Sequence, residues 1–150
     1  MAKLKRVVEV GFLAIASLAL IAQATSIYLG WRHGRVVDKE IWKNCKVEVV
    51  KTDSRFPPAL LVAYTNSGRL PVGKTHFRLV FELDTQEVAR IDRYYGELKA
   101  GKTESVLLQS VTPIAGSRRI ESGTNLTYRL LVFPNNKKPL PELIGQLEAR

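Results

Sequence analysis

Side chains that carry out chemistry are scarce in this sequence. It has one cysteine, Cys45, which excludes an intramolecular disulfide and a cysteine-rich metal site. Its two histidines, His33 and His76, are too few to hold zinc or copper without help from scattered carboxylates. The catalytic patterns GxSxG and HExxH and a glycine-rich phosphate loop are also lacking. We therefore expect a protein that is not an enzyme and that has no catalytic residue, no cofactor and no metal site.

The chain has fewer acidic than basic residues. The chain has 23 Lys and Arg residues against 14 Asp and Glu residues, and its net charge is +9. Residues 31–150 alone hold 20 basic and 13 acidic side chains, so the excess is not confined to the N-terminus. No basic helix, RNA-binding signature or Cys/His finger accompanies this charge, and we expect no nucleic acid as a partner. The expected neighbours are anionic lipid headgroups or an acidic protein surface.

One long apolar run follows a short basic leader, residues 1–9. Residues 10–29 contain no charged side chain, and at about 1.5 Å per residue a helix of this length spans roughly 30 Å, the thickness of the hydrocarbon core. We therefore predict a transmembrane helix over residues 10–30. Aromatic and basic residues at its far end are expected to lie at headgroup depth as membrane-interface anchors: Tyr28, Trp31, Arg32, His33 and Arg35.

The same run permits a second interpretation. Ala22-Gln23-Ala24 is the small-x-small pattern that a signal peptidase accepts, and cleavage there would leave a chain that starts at Thr25. A cleaved signal usually turns polar after about 7–15 apolar residues, whereas this run continues past Ala24. We favour a retained anchor and keep the cleaved signal as the alternative. The basic leader favours a cytosolic N-terminus, which places the C-terminal domain on the periplasmic side of a bacterial inner membrane.

Small and polar residues cluster on one side of the predicted helix. At about 100° per residue, seven of them fall within one arc of roughly 140°: Gly11, Ala16, Ala19, Ala22, Gln23, Ser26 and Gly30. Small side chains let a second helix approach closely, and Gln23 and Ser26 carry groups that hydrogen-bond across such a contact. Because patterns of this kind are degenerate, a chance stripe is the alternative. We predict that this helix-packing face contacts integral-membrane protein subunits.

Beyond the helix, the apolar residues change to a period of two. Residues 31–45 are predicted to form a juxtamembrane stalk, and residues 46–134 contain short alternating segments separated by Gly, Pro and Asn turns. This pattern predicts an all-β, antiparallel β-sandwich. Residues 135–150 form a tail in which a short C-terminal helix is expected from Pro141. Its apolar stripe would consist of Leu140, Leu143, Ile144 and Leu147.

Three segments of the sandwich region carry a resemblance to a known family. "VAYTNSGRLPV", "FRLVFELD" and "ELKAGKTESV" resemble the FxLYD-type modules, which are immunoglobulin-like sandwiches on bacterial membrane and envelope proteins. Phe81, Leu83 and Asp84 match the central motif, but no tyrosine stands between Leu83 and Asp84. The resemblance covers about residues 59–110. It implies an immunoglobulin-like fold and a non-enzymatic role, and it brings no catalytic residue.

These features together predict a non-catalytic accessory subunit of a larger bacterial membrane complex, whether respiratory, photosynthetic, transport or secretion. Its helix would anchor it, and its sandwich would brace neighbouring subunits outside the membrane. One alternative is a tethered or secreted binding module that captures an acidic ligand through its basic surface. Another is a transient assembly factor that is missing from the finished complex.

Overall fold

A computed structural model describes residues 2–53, 58–109, 112–113 and 123–148 of the chain. The chain divides into two compact units, Met1–Lys39 and Glu40–Arg150. We call the second the sheet unit, since it contains every strand that is described below, and we describe each unit by itself.

A single helix, α1 (Ala2–Asn44), contains residues 2–9 of the leader, the predicted membrane span and residues 31–44 of the predicted stalk. It contains no proline, and Ala and Leu, which have high helix propensity, recur along it. Residues 31–44 are therefore helical, and the chain turns into a strand at Cys45. At the last turn, the Asn44 side-chain amide donates a hydrogen bond of 2.9 Å to the Glu40 carbonyl oxygen.

Among the residues that the structure describes, eight strands follow the helix, and all their pairings are antiparallel. They are β1 (Cys45–Asp53), β2 (Ala59–Asn66), β3 (Thr75–Leu83), β4 (Gln86–Tyr95), β5 (Lys102–Leu108), β6 (Thr112–Pro113), β7 (Asn125–Phe133) and β8 (Leu143–Glu148). One sheet has the order β1-β2-β5, and the other has the order β6-β4-β3-β7-β8. The prediction of an N-terminal helix followed by antiparallel sheets is confirmed.

The core lies between the inner strands of the two sheets. Alternate residues of β2, beginning with Leu60, and of β3, beginning with Phe77, are fully buried. The Tyr64 ring of β2 meets the Phe77 ring of β3 edge to face, with 5.3 Å between the ring centroids. Burying a side chain of this size contributes about 1.5–3 kcal/mol. The two sheets are therefore held together by their apolar inner faces.

The predicted short C-terminal helix is wrong, because Leu143–Glu148 forms strand β8 on the free edge of β7. Leu143 is half-buried and Leu147 is buried, whereas Ile144 is 63% exposed. An alternating pattern of this kind suits a strand, while a helix would have grouped Ile144 with the leucines. Gly145, a poor helix former, lies between them and packs against the ring of Tyr128. Pairing with β7 thus prevailed over the helical spacing of the leucines.

Candidate functional site

Helix α1 presents its large apolar side chains to the outside of its own unit. Ten of them between residues 12 and 31 are 54–74% exposed: Phe12, Leu13, Ile15, Leu18, Leu20, Ile21, Ile27, Tyr28, Leu29 and Trp31. By length and composition, Gly11–Asn44 qualifies as a helix that is able to cross a membrane, a criterion that a signal sequence also satisfies. Apolar surface of this extent in water is unfavourable, so the helix requires an apolar environment.

All seven residues of the predicted helix-packing face lie in this helix. Ala16 is half-buried and the other six are exposed. An added Cβ at Gly11 or Gly30 would meet no atom within 4 Å. Elsewhere on the helix, the hydroxyls of Ser17 and Thr25 donate hydrogen bonds of 2.8 Å to the carbonyls four residues before them. Hydroxyls bonded within their own helix are compatible with an apolar surrounding.

The predicted membrane-interface anchors form an aromatic and basic cluster on α1. The rings of Tyr28 and Trp31 lie 6.4 Å apart, and the Arg35 guanidinium lies 3.7 Å from the centroid of the Trp31 ring. Arg32 and His33 follow directly after Trp31 and are exposed. A cation over an indole face contributes about 0.5–1 kcal/mol at an exposed site. This contact holds the Arg35 guanidinium against the face of the Trp31 ring on the surface of α1.

The C-terminal end of α1, residues 40–44, belongs to the sheet unit, and we call it the helix foot. Ile41 is buried, and the Trp42 indole N–H donates a hydrogen bond of 2.7 Å to the Pro139 carbonyl oxygen. The Asn44 carbonyl oxygen accepts bonds of 3.0 Å from both the backbone N–H and the hydroxyl of Ser67. These contacts fix the helix foot to two loops of the sheet unit.

An apolar groove opens between the edges of the two sheets. Cys45 and Val47 on β1 form one wall, and Leu130, Val132 and Leu143 on β7 and β8 form the other. Its volume is about 370 Å³. β1 and β8 are each the last strand of their sheet, so the sheets share no strand at this border. We call this cavity the edge groove.

The mouth of the edge groove is basic and aromatic. The ring of Trp42 lines it, and the Lys138 ammonium lies 4.5 Å from the centroid of that ring. Lys43, Lys46 and Glu48 also line the groove, and all three are exposed. Two lysines and one glutamate therefore line the groove, and a third lysine, Lys138, lies over its Trp42 ring; this excess of positive charge favours an anionic group there.

A polar chain is buried behind the groove. The Tyr64 hydroxyl lies 2.9 Å from the Thr75 hydroxyl and 3.9 Å from the Cys45 sulfur. Burial raises the pKa of the Cys45 thiol, although its hydrogen bond with Tyr64 partly opposes this. Burial also raises the pKa of the Tyr64 hydroxyl. Cys45 therefore remains a neutral thiol at pH 7 and is a weak nucleophile.

A second cluster lies on the outer face of the five-stranded sheet. His76 of β3 stacks between Tyr94 of β4 and Phe133 of β7, with ring centroids 4.7 and 5.5 Å away. The His76 Nε2 lies 2.6 Å from Asp92 Oδ1, and Arg78 Nε donates a bond of 2.9 Å to the same oxygen. Burial opposes ionisation of Asp92, but these two partners outweigh it and lower its pKa. We call the three stacked rings the ring row.

His76 is thus on the outward face of its strand, as its position in the alternating pattern suggests, but its side chain is only 14% exposed. The rings on the two neighbouring strands cover it. Within the described part of the chain, no group of three or more His, Cys, Asp or Glu side chains is placed to hold a metal ion.

Sequence reasoning missed both the edge groove and the ring row. The groove walls are contributed by residues near position 45 and residues near position 130, and nothing in a local pattern links them. The ring row depends on the register that pairs His76 with Tyr94 and with Phe133. Alternation along β3 places His76 on the outward face of its strand, but the rings beside it on the neighbouring strands can be identified only from the strand pairing itself.

The chain matches no protein-family model, and a comparison with curated proteins finds no match. Its function is therefore inferred from its residues and their geometry.

Proposed function

We propose that this chain is a single-pass membrane protein and a non-catalytic accessory subunit of a larger bacterial membrane complex. The observation that carries the proposal is the exposed apolar surface of α1, whose ten large side chains between residues 12 and 31 are at least 54% exposed. Such a surface requires either lipid or other helices around it.

The helix geometry favours a retained anchor over a cleaved signal. The helix is continuous through Ala22-Gln23-Ala24, and it runs on to Asn44 without a break. Cleavage after Ala24 would leave exposed Ile27, Tyr28 and Leu29 at the start of a soluble chain. The helix foot is also an integral part of the sheet unit through Trp42 and Asn44. Because the C-terminal end of α1 is part of the fold of the sheet unit, the helix is suited to hold that unit at a membrane.

The helix-packing face supports contact with integral-membrane subunits. Seven small or polar residues share an arc of roughly 140° on a helix of about 100° per residue, and Gly11 and Gly30 leave open space beside the backbone. Gln23 in hydrocarbon is costly without a hydrogen-bonding partner. A partner helix with a polar group at that depth would satisfy it.

An immunoglobulin-like topology is part of the proposal. The order β1-β2-β5 corresponds to strands A-B-E of that fold, and the order β4-β3-β7-β8 corresponds to C′-C-F-G. Sandwiches of this architecture serve many cell-surface proteins as binding or spacing modules. We place the sheet unit on the periplasmic side, because the basic leader favours a cytosolic N-terminus.

The test is affinity purification from native membranes in mild detergent at moderate salt, followed by mass spectrometry of all recovered chains. We expect a chain that starts at or near Met1 together with stoichiometric integral-membrane subunits. A chain that starts at Thr25 and is recovered alone would contradict both the anchor and the complex. Partners that are lost between low and moderate salt would instead identify the charge-driven binding module.

A matched pair of variants tests the helix-packing face. Ala19→Leu, Ala22→Leu and Ser26→Leu together add bulk to that face and should release the partners while the chain stays in the membrane. The control triple is Ala14→Leu, Ser17→Leu and Ala24→Leu, which makes the same three changes at positions outside the arc. Equal loss of partners from both triples, or from neither, would count against the face.

A further inference from the structure

The edge groove has the size and the lining of a small-molecule site. Its volume of about 370 Å³ lies within the range of roughly 300–1,000 Å³ that is usual for ligand pockets. Cys45, Leu130, Val132 and Leu140, which line it, are buried residues of the core, and the half-buried Val47 lies on the opposite wall from Leu130. A ligand that enters the groove therefore meets mainly apolar surface.

Polar side chains in the groove wall and behind it already have hydrogen-bond partners. The Trp42 indole N–H is bound to the Pro139 carbonyl, and the Tyr64 hydroxyl behind Cys45 is bound to Thr75. Burial keeps the Cys45 thiol neutral. These side chains offer a ligand no free donor. Apart from the outward backbone groups of the edge strands β1 and β8, the interior is therefore apolar, which favours an apolar buried portion of the ligand.

The charged residues that line the groove are exposed. They include Lys43 and Lys46, and the Lys138 ammonium lies over the Trp42 ring, which also lines the groove. Glu48 is the one carboxylate among the lining residues that the structure describes. An apolar interior with a net basic mouth complements a molecule that has an alkyl chain and a single anionic end.

We propose that the edge groove binds a free long-chain carboxylic acid, with its alkyl chain between β1 and the β7–β8 edge and its carboxylate beside Lys43 and Lys46. The site goes beyond the anchoring role that is proposed above and does not depend on it.

Trp42 provides a direct reporter. In a Trp31→Phe background it is the only remaining tryptophan of the chain. The full chain is placed in phosphatidylcholine nanodiscs, and fatty acids with bromine at the chain end quench Trp42 when they lie in the groove. The free acid is measured by equilibrium dialysis. We expect saturable quenching, and each added methylene should lower Kd about fourfold until the groove is full. Absent or non-saturable quenching would overturn the proposal.

Charge variants test the position of the carboxylate. The double variant Lys43→Glu and Lys46→Glu should raise Kd at least about tenfold, whereas Glu48→Gln should lower it. The control is Lys51→Glu with Lys102→Glu, which reverses two exposed charges of the same sheet outside the groove, and it should stay within about twofold. A fatty alcohol of equal length should bind about tenfold more weakly than the acid. Equal binding of acid and alcohol, or equal effects of both double variants, would refute the basic mouth.

A separate experiment tests whether the alkyl chain in the groove comes from a free acid or from a bilayer lipid. Nanodiscs made of phosphatidylcholine with brominated acyl chains, without free acid, should leave Trp42 unquenched. Quenching equal to that by the free acid would show that a bilayer lipid fills the groove, and this would overturn the assignment to a free acid. Neither result bears on whether α1 anchors the chain, which the purification from native membranes decides.

Discussion

At the scale of single residues, Asn66 connects the two loops that follow β2 and β4. Its side chain is 1% exposed, and its amide donates bonds of 2.8 and 3.3 Å to the carbonyls of Leu70 and Leu98. The side-chain carbonyl oxygen of Asn66, Oδ1, accepts a bond of 3.0 Å from the Gly68 N–H. Both groups of the amide are thus used, and the loops hold their conformation through one buried side chain.

Replacing Asn66 with Ala should lower the free energy of unfolding by about 1–3 kcal/mol, because its bonds are lost. The Leu70 carbonyl loses its Asn66 donor, while the Leu98 carbonyl keeps the bond from the Val72 N–H. Thermal unfolding of the full chain in mild detergent measures the effect. Asn125→Ala, at an exposed position that begins β7, is the control and should change the free energy by less than about 0.5 kcal/mol. Equal stability of the two variants would show that the Asn66 bonds contribute nothing.

Because Asp92 contacts His76 of the ring row, its ionisation makes the free energy of unfolding depend on pH. Its pKa is lowered in the folded state, so its contribution is present above the unfolded value of about 3.9 and is lost as pH falls through the folded value. Asp92→Asn should therefore be less stable than the natural chain at pH 7, by at most about 1 kcal/mol because the pair is exposed. The difference should begin to shrink near about pH 4 and should disappear only below the lowered pKa of the folded state. A difference in the free energy of unfolding that stays constant from pH 7 to pH 3 would contradict this. Glu104→Gln, at an exposed position of β5, is the control and should show no such difference at either pH.

At the scale of elements, two apolar patterns in the sequence indicate strands. The nearly continuous apolar run 59–66 favours a central strand and the alternating run 76–83 favours a strand with two unlike faces, and these residues form β2 and most of β3. The predicted C-terminal helix was wrong although its apolar residues fit a helical spacing: Leu140, Leu143, Ile144 and Leu147. The free edge of β7 decides its structure, and this edge is a property of the sheet that the tail sequence does not contain.

The close packing of Gly145 on the Tyr128 ring tests the β8 pairing. A Cβ at position 145 would overlap that ring, so Gly145→Ala should lower the free energy of unfolding by about 1–3 kcal/mol. Gly96→Ala is the matched control, since a Cβ there meets no atom within 4 Å and the change should have little effect. Both variants are compared by thermal unfolding. If Gly145→Ala were as stable as Gly96→Ala, β8 would not lie on β7 as described.

At the scale of the whole molecule, the chain combines an exposed apolar helix with a sheet unit that has its own core. The run of uncharged residues 10–29 and the helix that contains them could be predicted from the sequence, because membrane thickness sets a length that local composition reveals. The edge groove could not be predicted, since it depends on which strands end each sheet. Composition thus locates the proposed anchor, while only tertiary pairing locates the proposed ligand site.

A charge within α1 distinguishes an anchor from a cleaved signal. Leu20→Lys places an ammonium at the centre of the apolar run, where insertion costs about 2.5–3.5 kcal/mol, and Val36→Lys makes the same change beyond the run. Both side chains are exposed on their helix, at 66% and 59%, so neither change disturbs a packed core. After alkaline carbonate extraction, the natural chain and Val36→Lys should stay in the membrane pellet, while Leu20→Lys should be reduced there severalfold. Natural chain that appears in the supernatant, beginning at Thr25, would refute the anchor, because a cleaved signal leaves nothing that holds the sheet unit to the bilayer.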